Sequence, residues 1–406
     1  MDRDLLSMQL QASKLAPSRT IEDTLNRSQM APPRSSEDTL SHYTSHLHRQ
    51  SQLGARQSTL RHVPSSPDRV LDAPGMMDDF YLNLLDWSVR NVLAVALGPS
   101  VYLWNGSDGS VRELMSVSEG AHVTSLSWIH DGKSIAVGTS DGCAQLWDLE
   151  RSKKLRTMVA SPGVRVGSLG WHRHLLSTGS RNGAVLTHDV RVAKHLITTH
   201  ATATGAEVCG LAWSPDGRQL AAGSNDNRIY VWNSMGEAVV QPSAILEGHR
   251  SAIKALSWCP WRGNVLASGG GSLDRTIRLW DTSVGDCIEQ VDTNSPVSSL
   301  VWSKTSRELV SAHGLSKNHL AIWKVDSQCR DLHSVAAIDN AHDSRILHMC
   351  LSPDGRQVAT AAADESIKFW SLFNPNSSKG PSPKLSHSDG KPSSFSPFSL
   401  RTKSFR

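Results

Sequence analysis

The chain has 406 residues, 38% of them hydrophobic and 20% charged, enough to bury a large core without help from metals or disulfides. Its six cysteines (Cys143, Cys209, Cys259, Cys287, Cys329 and Cys350) stand singly, with no C-x-x-C pair and no Cys/His cluster at zinc spacing, so they read as buried thiols in a reducing compartment, and neither a metal nor a cofactor is expected. A net charge of +4 is too slight to argue for nucleic acid, the first twenty residues lack a signal-like apolar run, and no stretch has the length of a membrane span.

Residues 1–66 carry few alternating apolar runs. They contain a short duplication, RTIEDTL at 19–25 against RSSEDTL at 34–40. This composition reads as a largely disordered arm, with a pair of short binding helices as the alternative.

From 67 to 373 the tryptophans set a period. VYLW (Trp104), AQLWD (Trp147), IYVWN (Trp232), IRLWD (Trp280), LAIWK (Trp323) and IKFWS (Trp370) recur, with VLTHD supplying His188 where a third tryptophan belongs. The intervals are 43, 41, 44, 48, 43 and 47 residues, the length of one four-stranded propeller blade. A second series (Trp87, Trp128, Trp171, Trp213, Trp258, Trp302 and then Leu351) precedes the first by 17 to 22 residues. Twelve of the thirteen tryptophans fall on this double grid, which predicts an all-β, seven-bladed WD40 propeller.

The end of the array predicts how the ring closes. After most WD dipeptides the chain has room for one more strand, but after Trp370 only Ser371-Leu372-Phe373 precede the tail. An open sheet edge there would invite pairing with another chain, so the segment around Arg69-Val70-Leu71 is expected to supply the missing strand. Residues 374–406 read as a disordered basic Ser/Pro-rich tail, with Ser382-Pro383 and Ser396-Pro397 as proline-directed sites.

Catalytic motifs are rejected one by one. Gly132-Lys133-Ser134 ends like a phosphate loop, but Ser127 stands where that loop needs its first glycine, which leaves a hairpin turn at Asp131-Gly132. Asp141, Asp226, Asp274 and Asp364 each lie six residues before a blade tryptophan, and His122, His249 and His342 precede first strands. One active site needs its groups once, so repetition at blade period reads as buried structural pairs, and no enzyme is expected. What remains is recognition of extended peptides on the turn-lined face and between blades. The residues that break the repeat stand out there: Asn225-Asp226-Asn227 in place of Asp-Gly, Arg345, and the acidic approach Asp78-Asp79-Phe80-Tyr81.

Several of these stretches resemble the Fizzy family, WD40 co-activators and substrate receptors of the anaphase-promoting complex, a ubiquitin ligase. The matching text runs from PDRVLDAP at 67–74 and DFYLNLLDW at 79–87 through RVGSL at 165–169, HDVRV at 188–192, EVCGL at 207–211 and WCPW at 258–261 to AAADE at 361–365. The resemblance implies a receptor for the destruction box, an Arg-x-x-Leu degron, between the first and last blades, with Asp72 and Glu365 meeting the arginine. It also implies a receptor for the Lys-Glu-Asn (KEN) degron, formed by Asp79, Asn225, Asn227, Ser272 and Arg345. Pro296 departs there, standing after Ser295 where the family has glutamine.

The ligase-docking segments depart further. The family's Asp-Arg-(Tyr/Phe)-Ile-Pro box is matched only by Asp2-Arg3-Asp4-Leu5-Leu6, and its terminal Ile-Arg by Phe405-Arg406. The implied role is a substrate adaptor, active in cytoplasm and nucleus, a monomer that works as a subunit. Its implied partners are subunits of the complex, degron-containing proteins and checkpoint inhibitors, with no nucleic acid and no membrane. The second reading, prompted by the termini, is a scaffold or competitor that binds degrons without activating the ligase.

Overall fold

The two tryptophan series occupy two different structural positions. In a computed structural model describing residues 63–234, 238–314 and 317–373, the described residues form seven sheets in a ring, the expected seven-bladed propeller. Most of the expected arm and all of the tail, including the box at 2–6 and Phe405-Arg406, lie outside the described residues.

Each blade begins at the channel and runs outward. The first blade is Leu85–Trp87, Val92–Leu97, Ser100–Asn105 and Val111–Ser116, and the fifth is Ile253–Trp258, Val265–Gly270, Thr276–Asp281 and Asp286–Asp292. Second strands are almost wholly buried, as in Val265–Gly270, because they face a neighbouring blade on both sides. Outer strands such as Lys153–Val159 show water to one face.

Tryptophans of the second series sit at the ends of first strands and fasten one blade to the one before it. Trp128 Nε1 donates to the Asp86 carbonyl at 3.2 Å, and Trp171, Trp258 and Trp302 donate to Ser127, Ala212 and Ser257 carbonyls, each at 3.0 Å. Trp213 instead uses the Ser177 hydroxyl at 3.2 Å. Tryptophans of the WD series lie on third strands, and Trp232, Trp280 and Trp370 are among the largest fully buried side chains. Each brings a large apolar surface into the core while its N–H needs a partner.

For Trp280 and Trp370 that partner is a second-strand hydroxyl, held in turn by the repeated histidines and aspartates of those blades. In the fifth, Asp274 Oδ2 accepts from His249 Nδ1 at 2.6 Å, His249 Nε2 meets the Ser268 hydroxyl at 2.6 Å, and Trp280 Nε1 donates to the same hydroxyl at 2.7 Å. The seventh repeats this with Asp364, His342, Thr360 and Trp370. Burial lowers the His342 pKa to about 4, so the ring stays neutral and can accept on one nitrogen while donating on the other.

Two of the expected pairs do not form. Asp226 turns to Thr204 Oγ1 and the Tyr230 hydroxyl, both at 2.6 Å, because no histidine enters the fourth blade at that height. Asp141 bonds to Thr139, while His122 reaches Ser140 Oγ through its main-chain N–H. The cysteine expectation also needs correction, since Cys287 is exposed and Cys143 half-buried.

The ring closes as the short last blade predicted. Arg69–Asp72 pairs antiparallel with the strand Ser366–Ser371, in register Arg69 with Phe369 through Asp72 with Ser366. At this seam Phe369 packs edge-on against Trp87 at 5.3 Å and tilted against Trp104 at 4.9 Å. No staple of the Trp128 type spans it, because Trp87 Nε1 donates to Asn91 within its own blade.

Candidate functional site

Two concave surfaces carry the residues singled out from the sequence. The first is a cleft of 570 Å³ at the seam, lined by Leu71, Asp72 and Ile367 on one side and by Leu93, Val95, Leu97, Tyr102, Trp104 and Val111 on the other. Alternation along the closing strand creates its chemistry: Leu71 turns to the core cluster of the first blade while Asp72 is exposed. Glu365 sits at the next step of the same corner. Its carbonyl accepts the Ala73 N–H at 2.7 Å, and its Oε1 accepts the Gly75 N–H at 3.2 Å. Among the described residues neither carboxylate has an ion-pair partner.

The backbone at Glu365 is informative. Its φ is 59°, a left-handed turn position that other blades fill with Gly142, Gly183, Asn227 or Arg275. A side chain other than glycine or asparagine pays about 1–2 kcal/mol there. Arg275 holds the equivalent position of the fifth blade with φ of 56°, so Glu365 is set apart not by the turn but by a carboxylate standing beside an apolar cleft.

The second surface is a pocket of 250 Å³ on the turn-lined face, bounded by Phe80, Tyr81, Ser251, Ala252, Ser272, Pro296, Arg345, Ile346 and Leu347. The segment 78–83 crosses this face like a strap before entering the first blade. Asn83 Nδ2 donates to the Gly167 and Cys209 carbonyls at 2.7 and 3.1 Å. The Tyr81 hydroxyl donates to Asn225 Oδ1 at 3.1 Å, and Phe80 lies 5.6 Å from the Lys254 ammonium.

Ser272 and Arg345 therefore share one pocket, and Asp79 and Asn225 are joined to it through Tyr81. Asn227, with φ of 69°, lies in the Asn225 turn but does not line the pocket. The charges on this face are already matched. Arg345 Nε donates to Asp78 Oδ1 at 2.6 Å, and Asp79 Oδ2 accepts from Arg165 at 2.8 Å, while Arg165 also forks onto Glu207 at 2.7 and 2.9 Å.

Sequence reasoning missed Arg165, Glu207 and Lys254. Lys254 reaches across the channel from the fifth blade to the Leu347 carbonyl at 2.8 Å and to His348 Nδ1 at 3.3 Å in the seventh. Burial lowers its pKa to about 7. A lysine at an inner position of an otherwise apolar strand, IKALSW, was the available signal. Among the described residues no group of three or more His, Cys, Asp or Glu side chains is arranged to hold a metal.

Residues 71–370 match the model of the CDC20/Fizzy WD40 domain. Cell division cycle 20.1, cofactor of APC complex, from Arabidopsis thaliana is 44% identical over 349 residues, which cover 85% of this chain and 74% of that protein. The anaphase-promoting complex subunit cdc20 of Dictyostelium discoideum is 45% identical over 336 residues, 80% of this chain and 66% of its own. The WD repeat-containing protein slp1 of Schizosaccharomyces pombe is 46% identical over 336 residues, with 83% and 67% covered. A chain in the crystal structure of the mitotic checkpoint complex superposes with a TM-score of 0.74 at 42% identity, covering 88% of this chain and 99% of that one.

Proposed function

Since the chain belongs to the CDC20/Fizzy family of WD40 proteins, we propose that it is a substrate-recognition adaptor of the anaphase-promoting complex, receiving degron-bearing proteins at the seam of its ring. Its relatives are named as cofactors or subunits of that complex, which supports the ligase as its partner, and the likeness to a checkpoint-complex chain supports checkpoint proteins as others.

The observation that carries the reading is the seam cleft. Asp72 stands unpaired at its rim, Glu365 is held in a costly turn beside it, and the walls are aliphatic and aromatic. An Arg-x-x-Leu peptide has the complementary parts, a guanidinium that takes carboxylates in fork geometry and an aliphatic side chain for the cleft. The turn-lined face suits a second, KEN-type peptide element, with Ser272 in its pocket and Asn225 and Asn227 in the neighbouring turn as neutral polar contacts.

Binding of a labelled destruction-box peptide tests this. Asp72→Ala with Glu365→Ala should weaken it roughly 10- to 100-fold, as expected for losing charge-assisted hydrogen bonds, with the melting temperature little changed. Unaltered affinity would sink the assignment. The sequence departures at 2–6 and at Phe405-Arg406 favour a second reading, a degron-binding competitor. Stimulation of reconstituted ubiquitination, lost on removing Phe405-Arg406, excludes that passive role.

A further inference from the structure

Two of the cysteines meet across a blade junction, far from either peptide surface in sequence. Cys259 follows the first strand of the fifth blade, and Cys329 lies in the turn between the strands Leu320–Val325 and Leu332–Ile338 of the sixth. Both are fully buried in one apolar cluster with Leu279, Trp302 and Trp323, and their thiols are hydrogen-bonded to each other. The turn tucks Cys329 inward: its φ is 55°, its N–H donates to the Asp326 carbonyl at 3.2 Å, and the Asp326 carboxylate takes the Arg330 N–H at 2.6 Å. The flanking Ser327, Gln328, Arg330 and Asp331 are all exposed, so the sulfur pair lies one turn below the surface.

The two thiols are not alike. Cys259 donates its proton toward the Cys329 sulfur, and Arg262 stands beside that sulfur with Nη1 bonded to the Gln328 carbonyl. The hydrogen bond from Cys259 and the Arg262 charge hold the Cys329 thiol below the usual range, while the same hydrogen bond, together with burial, pushes Cys259 up. The other four, Cys143, Cys209, Cys287 and Cys350, are all pushed up, chiefly by burial. A free cysteine can serve simply as a small apolar side chain. A sulfur that favours the thiolate, with a guanidinium beside it and a second thiol in contact, has the parts of an oxidisable pair.

We propose that Cys259 and Cys329 are a modification site, a thiol pair that closes to a disulfide between the fifth and sixth blades when the chain meets hydrogen peroxide. Cys329 is the attacking sulfur: its thiolate takes one peroxide oxygen, the O–O bond breaks, and the departing hydroxide gains a proton to become water. The sulfenic acid so formed is resolved by Cys259. Its sulfur displaces the hydroxyl, the S–S bond forms as the S–O bond breaks, and the thiol proton leaves with that hydroxide as a second water. Two thiols and one peroxide thus give one disulfide and two waters. The bridge ties together the same two blades that Trp302 fastens through the Ser257 carbonyl.

The experiment treats the full chain with hydrogen peroxide, alkylates the remaining thiols in denaturant and maps the unreduced digest by mass spectrometry. A cross-linked peptide joining Cys259 to Cys329 is expected, absent when dithiothreitol is added before digestion. The oxidised chain should melt several degrees higher than the reduced one, because the bridge closes a long stretch of chain. In Cys259→Ser the sulfenic acid of Cys329 has no resolving thiol and should be captured by dimedone; in Cys329→Ser, Cys259 should stay reduced. Peroxide that oxidises the exposed Cys287 while Cys259 and Cys329 are recovered alkylated overturns the proposal. So does a bridge from either sulfur to another cysteine, or one that forms only after the chain is denatured. The cross-link is read in the unmodified chain, so a variant that fails to fold leaves the test standing.

Discussion

The junction between the fifth and sixth blades and the junction between the seventh and first solve the same packing problem differently. At the former, Trp302 Nε1 reaches the Ser257 carbonyl and draws the inner strands together. At the latter, Trp87 bonds within its own blade, and closure falls to Phe369 wedged against Trp87 and Trp104, with Arg69–Asp72 laid along the outside. There the polar staple near the channel is backed by Trp261 of the fifth blade, which packs edge-on against Trp302 at 5.1 Å. The wedge at the seam leaves a cleft above it, and the cleft is where the unpaired carboxylate stands. The seventh blade is also unstapled on its other side, where Leu351 replaces tryptophan; Lys254 ties it to the fifth blade across the channel.

Three perturbations bear on this contrast. The largest effect is expected from Phe369→Ala, which removes a ring that is 2% exposed from the only aromatic wedge described at the seam and should cost about 3–5 kcal/mol in denaturant unfolding. A loss below about 1 kcal/mol would mean that the closing strand alone holds the seam. Trp302→Phe keeps most of the apolar volume but leaves the Ser257 carbonyl without its donor; a loss of about 1–2 kcal/mol is expected, with destruction-box binding preserved. Reduced peptide affinity in that variant would erase the functional distinction between junctions.

The smallest effect concerns the tether. Lys254 titrates near 7 in the folded chain and at 10.5 when unfolded, so above pH 7 the unfolded chain holds a proton that the native one has released. Stability is therefore gained as pH rises from 7 toward 10.5. Between pH 7 and 8 the chain should gain about 1 kcal/mol relative to Lys254→Met, read as a growing difference in melting temperature. A pH-independent difference would show that this amine is not desolvated.

The double tryptophan grid was legible because every blade buries the same two positions, and the ring forces that repetition to be nearly periodic. The closing strand was legible for a negative reason: the chain ran out of residues after Trp370. Closure in turn put Asp72 next to the corner of Glu365. The charge pattern of the face was not legible. Asp78, rather than Asp79, takes Arg345, and Asp79 goes to Arg165, because partners at 165, 207 and 345 converge only when the ring is complete. The pairing of Asp141 in the second blade and Asp226 in the fourth was misread because the six-residue spacing fixes the turn but not what approaches it from the preceding loop. The short strand Val239–Val240, added in parallel to the edge of Leu196–His200, had no repeat to announce it.

Closing the ring with its own beginning also orders events in time. Arg69 emerges from the ribosome about three hundred residues before Phe369, its partner in the sheet, so the strand must wait unpaired while six blades are made. No half-finished chain can own the seam cleft, since Leu71 and Asp72 are set in its wall by pairing with Ile367 and Ser366, and Ile367 lines it. The peptide site thus comes into being at the last step of folding, and a chain that binds at its seam is, by that fact, a chain whose ring has been completed.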